Sequence, residues 1–343
     1  MTALSTIRRR VLRRLVSSLP ALLGVLMLTF LLMRVLPGDP AVFFASGSNA
    51  GQQEIDDLRH QLGLDQPIPV QLVYYLRDIA TGNLGRSLTS GQPVTADLEQ
   101  RLPASLELTF TALILALAMA LPLGILAALR PGTAVDHAVR FICSLGVCVP
   151  TFVSGLLLIY VFYYLLGLAP DPTGRVDVFA SPPPGITGFL LIDYALTGDW
   201  DGWWSAAGQL VLPSITMALF VLAPLARMTR ASMLAVLGSD FIRTAKSLGL
   251  KQSRVVVTYA LRNAMLPVLT IAGIVFSTML GANVLVEKVF SWPGVASYAL
   301  DALLASDYAP VQGFVLLMAL IFVVMNLAID ILYGLADPRV SME

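Results

Sequence analysis

The stretch Leu108–Leu129, LTFTALILALAMALPLGILAAL, decides the architecture of this chain: 22 consecutive residues contain no Asp, Glu, Lys or Arg. A helical residue advances about 1.5 Å, so about 20 apolar residues cross a hydrocarbon core roughly 30 Å thick. Working outward, five further uncharged stretches meet or approach that length. They are Leu15–Met33, Phe141–Leu168, Gln209–Ala226, Ala264–Val286 and Ala309–Ile329, the fourth of the six runs extending back without charge to Ser205. Within lipid each backbone N–H and C=O must be paired inside its own segment, so these runs read as helices. The expected fold class is an all-α polytopic membrane protein with six transmembrane helices. Composition agrees: 57% of the 343 residues are apolar and 13% charged, against about a quarter charged in soluble domains.

The first run follows Arg8-Arg9-Arg10 and Arg13-Arg14, a basic start that also suits a secretory signal. Its apolar part exceeds the roughly 7–15 residues of a signal core, and no small-x-small cleavage site follows, so it reads as a retained helix. Six spans place both termini on one side. With that side cytoplasmic, the inner segments carry fifteen of the 22 Lys and Arg residues, the bias expected of cytoplasmic loops. The chain then divides into residues 1–36 (cytoplasmic N-terminus and first span), an external segment 37–103, and a five-helix region 104–343. The last contains an external loop 169–208 and a cytoplasmic loop 227–263. Gln53–Leu64 and Val70–Ile79 have helical spacing on either side of Pro67 and Pro69, whereas Pro182-Pro183-Pro184-Gly185 predicts irregular structure. The external segment 37–103 has two readings, a landing surface for a binding protein and a self-packed cap.

Several chemistries are excluded or poorly supported. No Gly-Lys pair occurs, so the phosphate-cradling Walker A loop is absent, and so are a G-x-S-x-G elbow and an H-E-x-x-H helix. No catalytic residues are assigned. The spans lack the carboxylates that relay protons in ion-coupled carriers, and Asp330 only borders the last of them. This argues against an ion-coupled secondary transporter and against a membrane-embedded enzyme. Zero net charge gives no field for nucleic acid. His60 and His137 lack metal-ligand spacing, so no metal site is expected. Cys143 and Cys148 point to different helix faces and read as small buried hydrophobes.

The cytoplasmic loop 227–263 is the most informative segment. Gly238 stops one helix, and Ser239 or Asp240 starts another. Phe241, Ala245 and Leu248 then form an apolar stripe, with Arg243 and Lys246 off it and Gly249 as the stop. A second helix, from Lys251 to Asn263, leads into the fifth span. Periodicity alone leaves two readings of the short helix: insertion into a groove on a soluble partner, or lying among lipid headgroups.

Asp240-Phe-Ile-Arg-Thr-Ala-Lys-Ser-Leu-Gly-Leu250, followed by Ala260-Leu-Arg-Asn-Ala-Met-Leu-Pro267, resembles the coupling-loop signature of ABC importer permeases of the dipeptide/oligopeptide/nickel branch. The general signature opens Glu-Ala-Ala; here it reads Arg243-Thr244-Ala245 with Gly249, so no salt bridge from that glutamate is carried over. The likeness continues through Pro37-Gly-Asp-Pro40, Gln61-Leu-Gly-Leu-Asp-Gln-Pro67, Gly82-Asn-Leu-Gly-Arg-Ser87, Arg227-Met-Thr-Arg-Ala-Ser232, Phe290-Ser-Trp-Pro-Gly294 and Asp337-Pro338. It covers almost the whole chain. The loop at Pro182–Asp193 is similar to the longer loop of dipeptide permeases, which shorter relatives such as glutathione permeases lack.

The resemblance implies the type I ABC importer transmembrane fold in the bacterial inner membrane. It implies a second, homologous permease subunit as heterodimeric partner, two ATP-binding subunits and a periplasmic substrate-binding protein. This chain itself would bind no cofactor; ATP and Mg belong to the partner ATPases. Cargo would be dipeptides, with oligopeptides, glutathione, nickel, haem or 5-aminolevulinic acid as alternatives. The docking helix would be Asp240, Phe241, Arg243, Thr244, Ala245, Lys246, Leu248 and Gly249. Phe241, Ala245 and Leu248 would make its apolar contact, and Gly249→Pro or Ala245→Asp would uncouple transport with the protein still in the membrane. Ser144, Thr151, Ser154, Ser277, Thr278 and Asn283 are the polar span residues available to line a pathway. Ser and Thr in membrane helices also satisfy their own backbone. Pro122, Pro213 and Pro267 read as kinks or helix starts.

Overall fold

The structure, a computed structural model, describes residues 3–35, 52–61, 63–177 and 181–336. The Pro37–Pro40 and Asp337-Pro338 stretches and Leu62 lie outside the described residues. Among those described, regular structure is helical apart from one bridge between Arg86 and Pro93. In chain order the helices are α1 (Ala3–Val35), α2 (Gln52–Gln61), α3 (Ile68–Ala80), α4 (Val94–Leu129), α5 (Ala134–Cys148) and α6 (Thr151–Leu158, running on as a π-helical Ile159–Leu165). There follow α7 (Leu190–Thr197), α8 (Trp200–Leu237), α9 (Asp240–Ser247), α10 (Gln252–Val289, π-helical at Val255–Leu261), α11 (Val295–Leu304) and α12 (Tyr308–Ala336).

The local chemistry explains the ends. Pro69 stands in the first turn of α3, where a missing N–H costs nothing. The Asp199 carboxylate caps α8 by accepting from the Gly202 N–H at 2.9 Å. Each of the six apolar stretches falls on a helix or helix pair. Among the described residues, α4, α8, α10 and Tyr308–Ile329 of α12 are each long and apolar enough to cross a membrane alone, whereas α1 holds a shorter apolar run, Val16–Leu32. The third stretch departs from a straight span. It breaks between α5 and α6 and bends by 99°, and the bent pair qualifies only when counted together. Pro150 supplies no N–H to continue the ladder, and Val149 before it is extended at φ −95°, ψ 127°, as a residue preceding proline prefers.

The chain packs as two units. The first comprises residues 1–103 together with 293–324, so it also takes in a segment that the sequence reading grouped with 104–343. Its core gathers Val94, Leu98, Val295 and Tyr298. Two buried carboxylates organise the turn at 86–93. Asp97 accepts from Ser90 Oγ (2.6 Å) and from the Tyr298 hydroxyl (2.8 Å). Asp307 Oδ2 accepts from Ser87 Oγ (2.9 Å), Leu88 N (2.7 Å), Thr89 N (3.1 Å) and Thr89 Oγ1 (2.7 Å).

The second unit comprises residues 104–292 and 325–343. Helix α8 is its axis, with α5, α6, α7 and α10 packed on it. Small residues permit the closest approaches, as is usual between membrane helices. A Cβ on Gly146 of α5 would lie 2.5 Å from the Leu219 carbonyl oxygen of α8, and one on Gly124 would lie 2.6 Å from Thr229 Cβ. Gly146→Val should therefore push α5 away from α8 at a cost of about 1–3 kcal/mol, seen as a lower melting midpoint in detergent. A wild-type midpoint would show that α5 sits farther from α8.

Candidate functional site

Helix α9 is held by its inner face. Ile242 is 0% exposed and Ala245 6%, packed with Met233 of α8, Val255, Val256, Ala260 and Ala264 of α10, and Ala128 of α4. The i, i+3 spacing of Ile242 and Ala245 puts them on one side. Phe241, by contrast, is 46% exposed and Leu248 75%. This corrects the stripe read from sequence. Ala245 belongs to the internal cluster, and Ile242, absent from the sequence-based set, is one of its fully buried members; on α9 and its C-cap, Phe241 and Leu248 alone present apolar surface. The signal for Ile242 was available in its spacing to Ala245, but the rival i, i+4, i+7 series through Phe241 obscured it.

The polar residues of α9 face outward. Arg243 forms a solvent-exposed pair with Asp240 at 3.3 Å, and Thr244 and Ser247 return their hydroxyls to the carbonyls of Asp240 and Arg243. Lys246 is exposed. Ser239 stands at the N-cap, but its hydroxyl donates to the Val236 carbonyl (2.5 Å) and accepts no N–H from α9. Gly249 ends the helix at φ +75°, a conformation that a Cβ disfavours.

Above this loop in sequence, α8 carries an ion pair that spacing could not reveal. Asp136 at the start of α5 is buried and accepts two hydrogen bonds from Arg230, from Nε and from one terminal nitrogen, each at 2.7 Å. Its Oδ2 also accepts the Gly132 N–H at 2.9 Å, and Arg140 approaches to 3.5 Å. These bonds, Arg230's first and then Gly132's, hold the Asp136 carboxyl well below the ordinary carboxylate range. The pair ties the turn 130–133 and the near half of the bent span to α8, ten residues before α9 begins.

A second network fixes the loop at 169–208. Glu107 of α4 pairs with Arg175 and accepts the Leu191 N–H at 2.9 Å, while Arg175 also donates to the Gly188 carbonyl at 3.1 Å. Asp193 accepts from Thr187 N and Oγ1 and from Gly188 N. Glu287, fully buried, accepts from Ser105 Oγ at 2.6 Å. Glu107 and Glu287 abut the charge-free stretches by one residue, so scanning for charge inside the spans missed them.

The pathway candidates separate. Asn283 is fully buried, and its Nδ2 donates to Thr109 Oγ1 at 2.8 Å, a clasp between α10 and α4 rather than an open lining position. Ser277 and Thr278 return their hydroxyls to Gly273 O (3.2 Å) and Val275 O (2.8 Å), as the packing alternative anticipates. Ser144 is exposed, and Thr151 and Ser154 are half-buried. Cys143 is buried and Cys148 exposed, both as free thiols, so only the first is the buried hydrophobe expected. Among the described residues no group of three His, Cys, Asp or Glu side chains is placed to hold a metal ion.

Known proteins match nearly the whole length of the chain. Residues 120–342 match the family described as binding-protein-dependent transport system inner membrane component, and residues 7–109 match the N-terminal family of such membrane components. The chain is 41% identical over 331 residues to the di/tripeptide transport system permease protein DppB of Pseudomonas aeruginosa, covering 96% of this chain and 98% of that one. It is 40% identical over 332 residues to the dipeptide transport system permease protein DppB of Escherichia coli K12, with the same coverage. Against the dipeptide transport system permease protein DppB of Alkalihalophilus pseudofirmus it is 38% identical over 329 residues. With both family regions matched in order and this identity end to end, the chain belongs to the inner-membrane permease components of binding-protein-dependent, ABC-type import systems.

Proposed function

We propose that this chain forms half of the translocation pathway of a dipeptide importer in the bacterial inner membrane. Its two termini are cytoplasmic. It pairs with a second, homologous permease, two ATPase subunits that bind ATP and Mg, and an external binding protein that delivers substrate. The observation that carries the reading is α9: a short helix clamped from within by Ile242 and Ala245, offering Phe241 and Leu248 with Asp240, Arg243, Thr244 and Lys246 around them. A clamped helix with a projecting apolar pair suits a groove on an ATPase subunit. The surrounding charges steer the encounter more than they hold it. Closure of the ATPase pair would displace α9 and, through α8 and α10, rock the spans between inward- and outward-facing arrangements. Ser144, Thr151, Ser154 and Thr278, exposed or half-buried in the spans, are the polar residues this reading assigns to the pathway.

Dipeptide cargo is supported by the names of the relatives in Escherichia coli and Alkalihalophilus pseudofirmus. The Pseudomonas aeruginosa relative, named for di- and tripeptides, supports a cargo range reaching one residue further. Deleting the chain should abolish uptake of labelled dialanine, and restoring it should rescue uptake. Unlabelled di- and tripeptides should compete, and glutathione and Ni²⁺ should not. Undiminished dialanine uptake in a strain without other peptide importers would overturn the cargo assignment.

A further inference from the structure

Within the first unit lies a cavity of about 240 Å³ whose lining includes Arg34, Tyr75, Asp78, Asn83 and Gln312. We propose that it binds a short peptide with free ends, holding the α-carboxylate on Arg34 and leaving the ammonium to Asp78; the inference rests on the peptide-importer reading above.

Two donors in this cavity lack an acceptor among the described residues, and a guanidinium stands beside them. Arg34 closes α1, with its guanidinium 4.3 Å from the Phe30 ring centroid and 6.0 Å from that of Tyr308. Its Nε donates to Gln71 Oε1 at 3.0 Å, and the Gln71 amide is itself fixed by the carbonyls of Leu64 (3.3 Å) and Gln66 (2.7 Å). The guanidinium is thus oriented by two rings and one amide, with no carboxylate at ion-pair distance among the described residues. These two donors, the Tyr75 hydroxyl and Gln312 Nε2, are buried without a hydrogen-bond partner among the described residues; Gln312 as a whole is 8% exposed.

Buried donors left unpaired are rare in folded proteins and call for an acceptor. A guanidinium, a phenol and an amide N–H₂ lining one space suit a planar anion with several lone pairs, and a carboxylate is the form that guanidinium binds best. Asp78 is exposed and lies on the same lining, which gives a dipolar ligand a seat for each charge. The volume falls below the roughly 300–1,000 Å³ of drug-sized sites, a scale for a few small residues rather than for a protein loop.

The test uses the assembled complex of both permeases and the ATPases in nanodiscs, without binding protein, titrated with labelled dialanine. Saturable binding is expected. Dialanine amide, which lacks the carboxylate, should bind about tenfold or more weakly, the scale of one charge-assisted hydrogen bond. Arg34→Gln should erase the difference between acid and amide. Tyr75→Phe, which keeps the ring, should weaken the acid more mildly. Asp78→Asn should weaken dialanine but leave N-acetyl-dialanine unchanged. Equal binding of acid and amide, unchanged binding by Arg34→Gln, or no saturable binding at all overturns the site. Acetate competing as well as dialanine overturns the peptide assignment. Dialanine uptake by cells, measured in parallel, separates the two inferences: binding lost with uptake intact removes the site alone, whereas absent uptake removes the cargo reading.

Discussion

Asp136→Ala should cut substrate uptake by about an order of magnitude and lower the melting midpoint of the purified complex. The carboxylate removed is buried and takes both forks of Arg230 as well as the Gly132 N–H. Its loss leaves a partly buried guanidinium without its counter-charge, the costly way to break such a pair. It also frees the turn 130–133 and the start of α5 from α8, loosening the link by which movement of α8 carries the bent span. Arg230→Ala should behave similarly. A charge swap, Asp136→Arg with Arg230→Asp, should recover part of the loss if the pair acts as a pair, because a double-mutant cycle then shows coupling. The sign of the pH effect follows from the depressed carboxyl. Stability from this group is fully present above the ordinary carboxylate pKa of about 4 and fades as pH falls below it. The gap in melting midpoint between wild type and Asp136→Asn should therefore narrow in acid. Wild-type uptake and melting in both single variants would sink the assignment of any linking role to this pair.

The residues just discussed mark where sequence reading stops. The apolar stretches were legible because the bilayer imposes one length and one composition, and the loop at 227–263 because Gly238, Gly249 and the amphipathic spacing between them are local signals. The 99° bend was written in Pro150, yet the run on either side of it is uniformly apolar, and proline is common enough in membrane helices that its presence does not fix an angle. Pairings across long separations left no trace: Arg230 with Asp136, Asn283 with Thr109 and Glu287 with Ser105 are meetings of helices, decided by packing. The same cause moved Ala245 from the proposed docking face to the internal cluster. On a helix of eight residues, two faces less than half a turn apart are both apolar, and only the neighbouring α8 and α10 determine which one turns inward.

That distinction makes the two faces of α9 separable by mutation. Phe241→Asp with Leu248→Asp should leave the protein in the membrane with a normal melting midpoint and abolish uptake. Affinity purification of the permease should then recover ATPase subunits at less than about a tenth of the wild-type amount. Both side chains are substantially exposed in the isolated chain, so charging them costs the fold little. Burying an aspartate in a partner's groove, by contrast, removes an apolar anchor and desolvates a charge, and anchors of this kind are often worth 2 kcal/mol or more each, about thirtyfold in affinity. Ala245→Asp sets the contrary case. Its carboxylate would enter the apolar cluster of Met233, Ile242, Val255 and Ala260, where burying a charge is costly, so the loss should begin with folding: low yield, early melting and aggregation, with any loss of ATPase following from it. Gly249→Ala lies between, since a side chain at φ +75° strains the end of α9 by about 1 kcal/mol without touching either face, and uptake should fall only severalfold. If the Phe241/Leu248 double variant retains its ATPase subunits and transports normally, α9 is not the contact, and the headgroup-lying alternative for the helix takes its place. If Ala245→Asp instead proves well folded and merely uncoupled, the inward face has been assigned to the wrong residues.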